Sequence, residues 1–160
     1  MKLKRLLGVL ALGLAVITLA ACGQKSTENI IKNELKDSYT GSSENPALDN
    51  PFNAGSATLK FDKKENTITD DNGSSIYFSV VSEEDKTSEI KSVLKELDNE
   101  LSNTDNFTIV VSHQYQNPTT KQSSAFYQIA LSDGGKSIKI FELRRNTRDY
   151  GYYEFSGQSD

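Results

Sequence analysis

Residues 125–143 read AFYQIALSDGGKSIKIFEL, and this stretch decides the fold. Both halves are rich in β-branched and aromatic residues, which is typical of strands. Asp133, Gly134 and Gly135 stand between the halves, and residues of this kind form the tight turn of a β-hairpin. The stretch therefore predicts two neighbouring antiparallel strands.

The same pattern of short strands and turns extends on both sides of this hairpin. Upstream, alternating segments lie at residues 56–61, 67–70 and 74–81, and FTIVVSHQY forms another at 107–115. Downstream, residues 144–149 turn the chain into YGYYEF, residues 150–155, which predict an aromatic last strand. Asp71-Asn72-Gly73 supplies a further hairpin turn, because Asn-Gly tolerates positive φ. Together these segments predict seven or eight strands.

One amphipathic helix interrupts the strands after the fourth. Its apolar residues recur at helical spacing, at Ile90, Val93, Leu94, Leu97 and Leu101. Such a stripe predicts a helix that packs on a sheet, with Asp85, Thr87 or Ser88 as its cap. The fold class is mostly β, an antiparallel meander closed into a small barrel. The alternative is an open antiparallel sheet with the helix packed on one face.

This layout resembles the lipocalin-like (calycin) barrels over residues 38–156. Tyr39-Thr40-Gly41 stands near the first strand, a chain of hairpins follows, and the last strand is aromatic and ends at Phe155. The sequence departs from that family in its central helix and in having no Trp. The resemblance implies a barrel of eight strands.

The N-terminus has the pattern of a secretory signal. Lys2, Lys4 and Arg5 precede an apolar run, Leu6 to Ala21, that is shorter than the roughly 20 residues of a spanning helix. The alternative is a permanent anchor helix. Leu19-Ala20-Ala21-Cys22 resembles the bacterial lipobox, which implies cleavage between Ala21 and Cys22, a diacylglyceryl thioether on Cys22 and a fatty acid such as palmitate on its amine.

The resemblance predicts a lipoprotein on the outer face of the bacterial cell membrane. Gly23 and the Ser/Thr/Asn-rich stretch after it are similar to Gram-positive lipoproteins. The expected organisation is a cleaved signal at 1–21, the lipidated Cys22 with a polar tether to residue 37, and one β-rich domain at 38–160. Alternatively, Ile30, Ile31 and Leu35 form a short amphipathic helix that lies on the domain.

Composition limits the classes of function. Residues 1–21 contain three basic and no acidic residues, so the mature chain keeps 15 basic and 22 acidic residues, a formal charge of −7. That charge argues against a nucleic-acid partner and against a simple binder of phospholipid surfaces, because both require a basic face. Cys22 is the only cysteine, so the domain has neither a disulfide nor a thiolate site.

The residue types that catalysis requires are scarce, and we predict no metal and no cofactor. His113 is the only histidine, in phase with the core-facing Phe107, Ile109 and Val111. It is either a polar group at the mouth of a ligand cavity or a hydrogen-bonded histidine at a strand end. An envelope hydrolase that uses carboxylates, or Ser with His113, is the enzymatic alternative. The acidic turn Asp70–Gly73 lacks the loop of a calcium site, and a hairpin explains it.

The remaining candidates belong to binding. One pair of aromatic side chains in residues 150–155 faces inward and the other forms an exposed patch suited to a partner. An arginine cluster nearby either grips an anion or forms a solvated turn. Two further tyrosines line the interior if the barrel closes. The candidate ligand or partner residues are His113, Tyr115, Tyr127, Arg144, Arg145, Arg148, Tyr150 and Tyr152.

The sequence thus predicts a non-catalytic binding domain on a lipid anchor, whose ligand is a small molecule or an envelope protein or peptide. A structural or assembly partner, or an immunity-type lipoprotein, is the other non-enzymatic alternative.

Overall fold

The protein is a closed eight-stranded antiparallel barrel, as the sequence predicts. The computed structural model describes residues 25–143 and 151–160. Each strand pairs with the next along the chain, and the last pairs with the first. The strands are β1 Ser38–Ser43, β2 Gly55–Asp62, β3 Thr67–Thr69, β4 Ser75–Val80, β5 Asp105–Ser112, β6 Ala125–Ser132, β7 Ser137–Glu142 and β8 Glu154–Gln158. The open-sheet alternative is wrong, because β8 closes against β1 from Thr40↔Gln158 to Ser43↔Phe155.

We name the two ends of the barrel by their distance from Lys25. The proximal end carries Ser38 of β1 and Ser137 of β7, and the distal end carries Ser43 of β1 and Glu154 of β8. Strands β2, β4 and β8 alternate between a buried inward residue and an outward one, whereas residues on both faces of β5 are buried. In β2, for example, Leu59 is buried and Lys60 is exposed.

Among the described residues, twenty buried side chains form the principal core, which fills the interior of the barrel. Its members come from all eight strands, from two segments outside them, which contribute Ile30, Leu35 and Phe52, and from Tyr153 directly before β8. Among the largest are Tyr39, Tyr127, Tyr153 and Phe155, each with no more than 1% of its surface exposed. Burial of this much apolar surface is the main term that stabilises a domain without disulfides.

The segment before the barrel belongs to the folded domain. Helix α1, Thr27–Asn29, continues into a π-helical turn, Ile30–Glu34. Ile30 and Leu35 are buried in the core, and Ile31 packs against it. Of the two alternatives for this stretch, the structure has the short helix that lies on the domain.

The helix predicted after the fourth strand is present as α2, Ser88–Glu96, followed by a short α3, Asp98–Leu101. Thr87, one of the three expected caps, accepts a hydrogen bond of 3.3 Å from the backbone N–H of Ile90. Ile90 and Val93 form a second apolar cluster outside the barrel, with Phe126 and Leu143. The helix therefore packs on the sheet, as its apolar stripe predicts. No helix among residues 25–143 and 151–160 is long and apolar enough to cross a membrane.

Two strand boundaries differ from the prediction. β5 ends at Ser112, before His113 and Tyr115, because the Ser112 hydroxyl accepts hydrogen bonds of 3.2 Å from the N–H groups of Gln114 and Tyr115 and turns the chain. β8 begins only at Glu154 and runs to Gln158, three residues beyond the expected end. Pairing with β1 and β7 on both sides sets that length.

Candidate functional site

Both ends of the barrel interior are closed by segments outside the strands. At the proximal end, the hydroxyl of Tyr39 donates to the carbonyl oxygen of Gly135 at 2.8 Å, beneath Ile30 and Leu35. At the distal end, the connection 44–54 places Phe52 in the core, with its ring centroid 4.4 Å from that of Tyr127. The aromatic side chains fill the space that a carried ligand would occupy in a barrel of this size.

Among the predicted binding residues that the structure describes, Tyr127 alone lies inside. It is fully buried and packs edge to face on Tyr153, with ring centroids 6.3 Å apart. Its hydroxyl donates a long hydrogen bond of 3.4 Å to the carboxylate of Asp49. Tyr127 therefore belongs to the packed core.

Two buried carboxylates, Asp49 and Glu142, lie at the distal end among the aromatic rings. A carboxylate oxygen of Glu142 accepts a hydrogen bond of 3.1 Å from the backbone N–H of Tyr153, and both carboxylates have further interactions. Burial raises the pKa of the Tyr153 hydroxyl well above its ordinary value, because desolvation disfavours the phenolate. The Tyr153 hydroxyl therefore keeps its proton at alkaline pH values at which an exposed tyrosine loses it.

His113 and Tyr115 lie on the connection 113–124, outside the interior. His113 is exposed one residue beyond β5, so it does not continue the core-facing series of that strand. Tyr115 is 44% exposed. The side-chain amide of Asn66 donates to the amide oxygen of Asn117 at 3.0 Å, so this connection leaves the distal end and folds back toward the β2–β3 turn.

Tyr152 lies at the distal end with 37% of its surface exposed, directly before the buried Tyr153. The side-chain amide of Asn45 donates to the Tyr152 carbonyl oxygen at 3.3 Å, which joins the β1–β2 connection to the start of β8. The outward Tyr152 and the inward Tyr153 and Phe155 have the alternation that the sequence predicts. Tyr150, Arg144, Arg145 and Arg148 lie outside the described residues, as do Ala21 and Cys22.

Two surface grooves meet at Tyr152. One has a volume of about 420 Å³ and is lined by polar side chains, among them Ser42, Glu44, Asn45 and Ser156. The other has a volume of about 340 Å³ and runs between α2 and the strands β7 and β8, with Val93, Leu97 and Phe141 in its wall. Tyr152 and Glu154 line both grooves. Tyr152 therefore stands where a polar groove meets one of mixed lining, in which Glu96 and Glu142 accompany the apolar side chains.

The sequence pointed to Tyr152 but not to its neighbours. Ser42 and Ser156 carry no chemical signal as single hydroxyls, and they share a groove only because β1 pairs with β8. Phe52 lies in an irregular connection, where no periodicity marks it as a core residue. Strand pairing thus brings Ser42 and Ser156 into the site, whereas Phe52 belongs to the core that closes the interior.

The acidic turn at Asp70 is structural. One carboxylate oxygen of Asp70 accepts hydrogen bonds from the backbone N–H groups of Asn72 at 2.9 Å and Ser74 at 2.8 Å. Within the described residues, His, Cys, Asp and Glu side chains form no group of three or more that could hold a metal ion.

No protein-family model matches the chain, and neither a curated protein nor a solved structure matches it.

Proposed function

We propose that this chain is a lipid-anchored domain on the outer face of the bacterial membrane, and that it binds a peptide or protein of the envelope at the two grooves beside Tyr152. The packed interior supports the proposed binding of a peptide or protein, because it leaves the outer surface for binding. The lipobox at Leu19–Cys22 supports the anchor.

The two grooves have the chemistry of a surface that recognises an amphipathic segment. An apolar side chain of the partner fits between α2 and the strands β7 and β8, against Val93 and Leu97. A polar or cationic neighbour of that side chain meets the hydroxyl of Ser42 and the carboxylate of Glu44. Half-exposed tyrosines are common anchors of such interfaces, because the ring supplies apolar area and the hydroxyl stays wet.

The charge of the domain favours the same class of partner. The mature chain carries a formal charge of −7, and Glu44 and Glu154 stand in the groove walls. A negative surface raises the association rate of basic partners and lowers that of acidic ones. We therefore expect the partner to present a basic, amphipathic peptide segment.

The anchor is tested by mass spectrometry of the protein from bacteria fed an alkyne-labelled fatty acid. A labelled N-terminal peptide that begins at Cys22 is expected, and Cys22→Ser should remove the label and leave the signal uncleaved. An unlabelled protein with an intact Cys22 thiol would contradict the anchor.

Recognition is tested by NMR titration of residues 25–160 with fractionated envelope peptides. Shifts are expected at Ser42, Glu44, Asn45 and Tyr152, and Tyr152→Ala should remove them. Tyr115→Ala is the matched control, since Tyr115 is similarly exposed but lies on the connection 113–124. An apolar small molecule retained in native mass spectrometry, with shifts at Phe52 and Tyr127, would favour a carrier instead.

Turnover is tested separately with His113→Ala. His113 lies on the connection 113–124 and lines neither groove beside Tyr152, so this variant should keep full binding. A hydrolytic activity that is lost in His113→Ala while the fold is kept would establish the enzymatic alternative.

A further inference from the structure

The chain is attached to the barrel from Lys25 onward. The ammonium group of Lys25 lies 2.8 Å from the carboxylate of Asp105 in β5 and 2.9 Å from that of Glu34. From there the chain enters α1 and the π-helical turn, whose Ile30 is buried in the core. The first residues of the domain are therefore fixed to its proximal end.

This attachment sets how far the barrel can stand from a lipid on Cys22. Two residues, Gly23 and Gln24, lie between Cys22 and Lys25, and an extended chain over these three peptide units spans at most about 11 Å. The barrel itself is about 20 Å tall, given eight-residue strands that tilt in a closed barrel. A tether shorter than the barrel cannot let the domain turn over freely.

We infer that the barrel stands on the membrane with its proximal end against the lipid headgroups and its distal end, with Tyr152, directed away from the bilayer. This inference rests on the proposed lipidation of Cys22. It assigns the membrane contact to the proximal end and leaves the grooves beside Tyr152 open to a partner.

The proximal end carries a surface that suits the headgroup layer. A shallow groove of about 570 Å³ lies beside the π-helical turn, with Ile31, Lys32, Lys63 and Val80 in its wall. Val80 is 41% exposed, the one exposed large apolar side chain at this end among the described residues. A lysine beside apolar side chains is favoured at a membrane interface, because the aliphatic stem lies among apolar groups and the ammonium meets phosphate. The Lys63 ammonium lies 3.0 Å from the carboxylate of Asp37 and donates to the Leu35 carbonyl oxygen, so Lys32 is the lysine that we assign to this contact. Glu28 and Thr27 complete the groove, so the contact is of mixed charge.

The opposite turns of the barrel provide matched reporter positions. Lys64 lies in the β2–β3 turn at the proximal end and Asn72 in the β3–β4 turn at the distal end, and both are exposed. Cys22 is the only cysteine and would carry the lipid, so Lys64→Cys and Asn72→Cys each add the one free thiol of the lipidated protein. A fluorophore on either thiol reports its distance from the membrane.

The experiment reconstitutes the full lipidated protein in vesicles whose headgroups carry a nitroxide quencher. Quenching at position 64 is expected to be several-fold stronger than at position 72. Equal quenching, or stronger quenching at position 72, would overturn the orientation. The mass of each protein is measured first, so a chain without lipid is recognised there and overturns the anchor as well as the orientation.

A second variant tests whether the short tether causes the orientation of the barrel. A flexible Gly/Ser insertion of ten residues between Gln24 and Lys25 lengthens the reach beyond the height of the barrel. The difference between positions 64 and 72 should then shrink toward zero. An undiminished difference would overturn the tether as the cause of the orientation.

Discussion

The hydroxyl oxygen of Tyr39 lies 2.8 Å from the carbonyl oxygen of Gly135, to which it donates a buried hydrogen bond across 96 residues of sequence. The same hydroxyl accepts a hydrogen bond of 2.9 Å from the backbone N–H of Lys36. One side chain of β1 thus joins the N-terminal segment to the β6–β7 turn. Burial raises the pKa of this hydroxyl, although the Lys36 N–H opposes the shift.

Replacing Tyr39 by Phe should lower the free energy of unfolding by about 1–3 kcal/mol, because the Gly135 carbonyl and the Lys36 N–H both lose a buried partner. Urea denaturation followed by fluorescence or circular dichroism measures the change. Tyr115→Phe, at an exposed position, is the control and should leave the midpoint in place. Equal stability of Tyr39→Phe and the parent protein would mean that water replaces the hydroxyl.

The N-terminal segment should contribute to stability through Leu35. Only 2% of Leu35 is exposed, so Leu35→Ala removes a core side chain and should cost about 2–5 kcal/mol. Lys32→Ala, an exposed position in the π-helical turn, is the matched control. A chain that begins at residue 38 should likewise melt at a lower temperature than one that begins at residue 25. If both chains melt together, the segment does not stabilise the barrel.

Closure of the barrel depends on a glycine in β1. Gly41 lies opposite Gly157 of β8, and a Cβ atom on Gly41 would stand 2.0 Å from the carbonyl oxygen of Ser156. Gly41→Ala must therefore move one strand away from the other, at a cost of about 1–3 kcal/mol. Amide hydrogen exchange should show faster exchange in β1 and β8, whereas the exposed neighbour Ser42→Ala should leave the exchange rates as they are.

Stability should fall at alkaline pH through the buried tyrosines. The pKa of Tyr153 is raised by burial, so above the ordinary tyrosine pKa of about 10 the unfolded chain loses a proton that the folded chain keeps. The unfolding free energy is unaffected below that pH and decreases as the pH rises above it. Salt bridges raise the pKa values of Lys25 and Lys139 and act in the same direction.

The contribution of Tyr153 is isolated by comparing the parent protein with Tyr153→Phe, in each of which the unfolding free energy is followed as the pH rises. The phenylalanine variant cannot ionise, so its stability should decline less steeply with pH than that of the parent protein. Urea denaturation at several pH values between about 9 and 11 measures both slopes. Identical slopes would show that the hydroxyl of Tyr153 is accessible to solvent in the folded state.

Local periodicity was sufficient to predict most of the barrel. The alternation in residues 125–143, with glycines at the turn, gave both strands and their pairing, and the spacing from Ile90 to Leu97 gave the helix. These signals succeed because the residues that make each element also decide which face it buries. Closure of the barrel was predicted, but no single motif determined it.

The structure differs from the sequence-based prediction where long-range contacts determine it. Ser156, Gly157 and Gln158 have little intrinsic preference for a strand, yet they form β8 because β1 and β7 present pairing partners on both sides. Phe52 enters the core from an irregular connection, although its local sequence has no period. The grooves beside Tyr152 depend on the same pairings, so the sequence named one of their residues and missed the rest.

Tyr152 and Tyr153 are adjacent in sequence, but replacement by Ala should mainly weaken binding at Tyr152 and mainly lower stability at Tyr153. Tyr153→Ala removes a fully buried ring from between Phe52 and Phe155 and should cost about 3–5 kcal/mol of stability. Tyr152→Ala removes a half-exposed ring and should change stability by about 1 kcal/mol or less, while the affinity for the partner peptide falls at least about tenfold. Thermal melts and peptide titrations of the two variants separate these effects. If Tyr152→Ala binds as the parent protein does, the recognition surface lies elsewhere on the barrel.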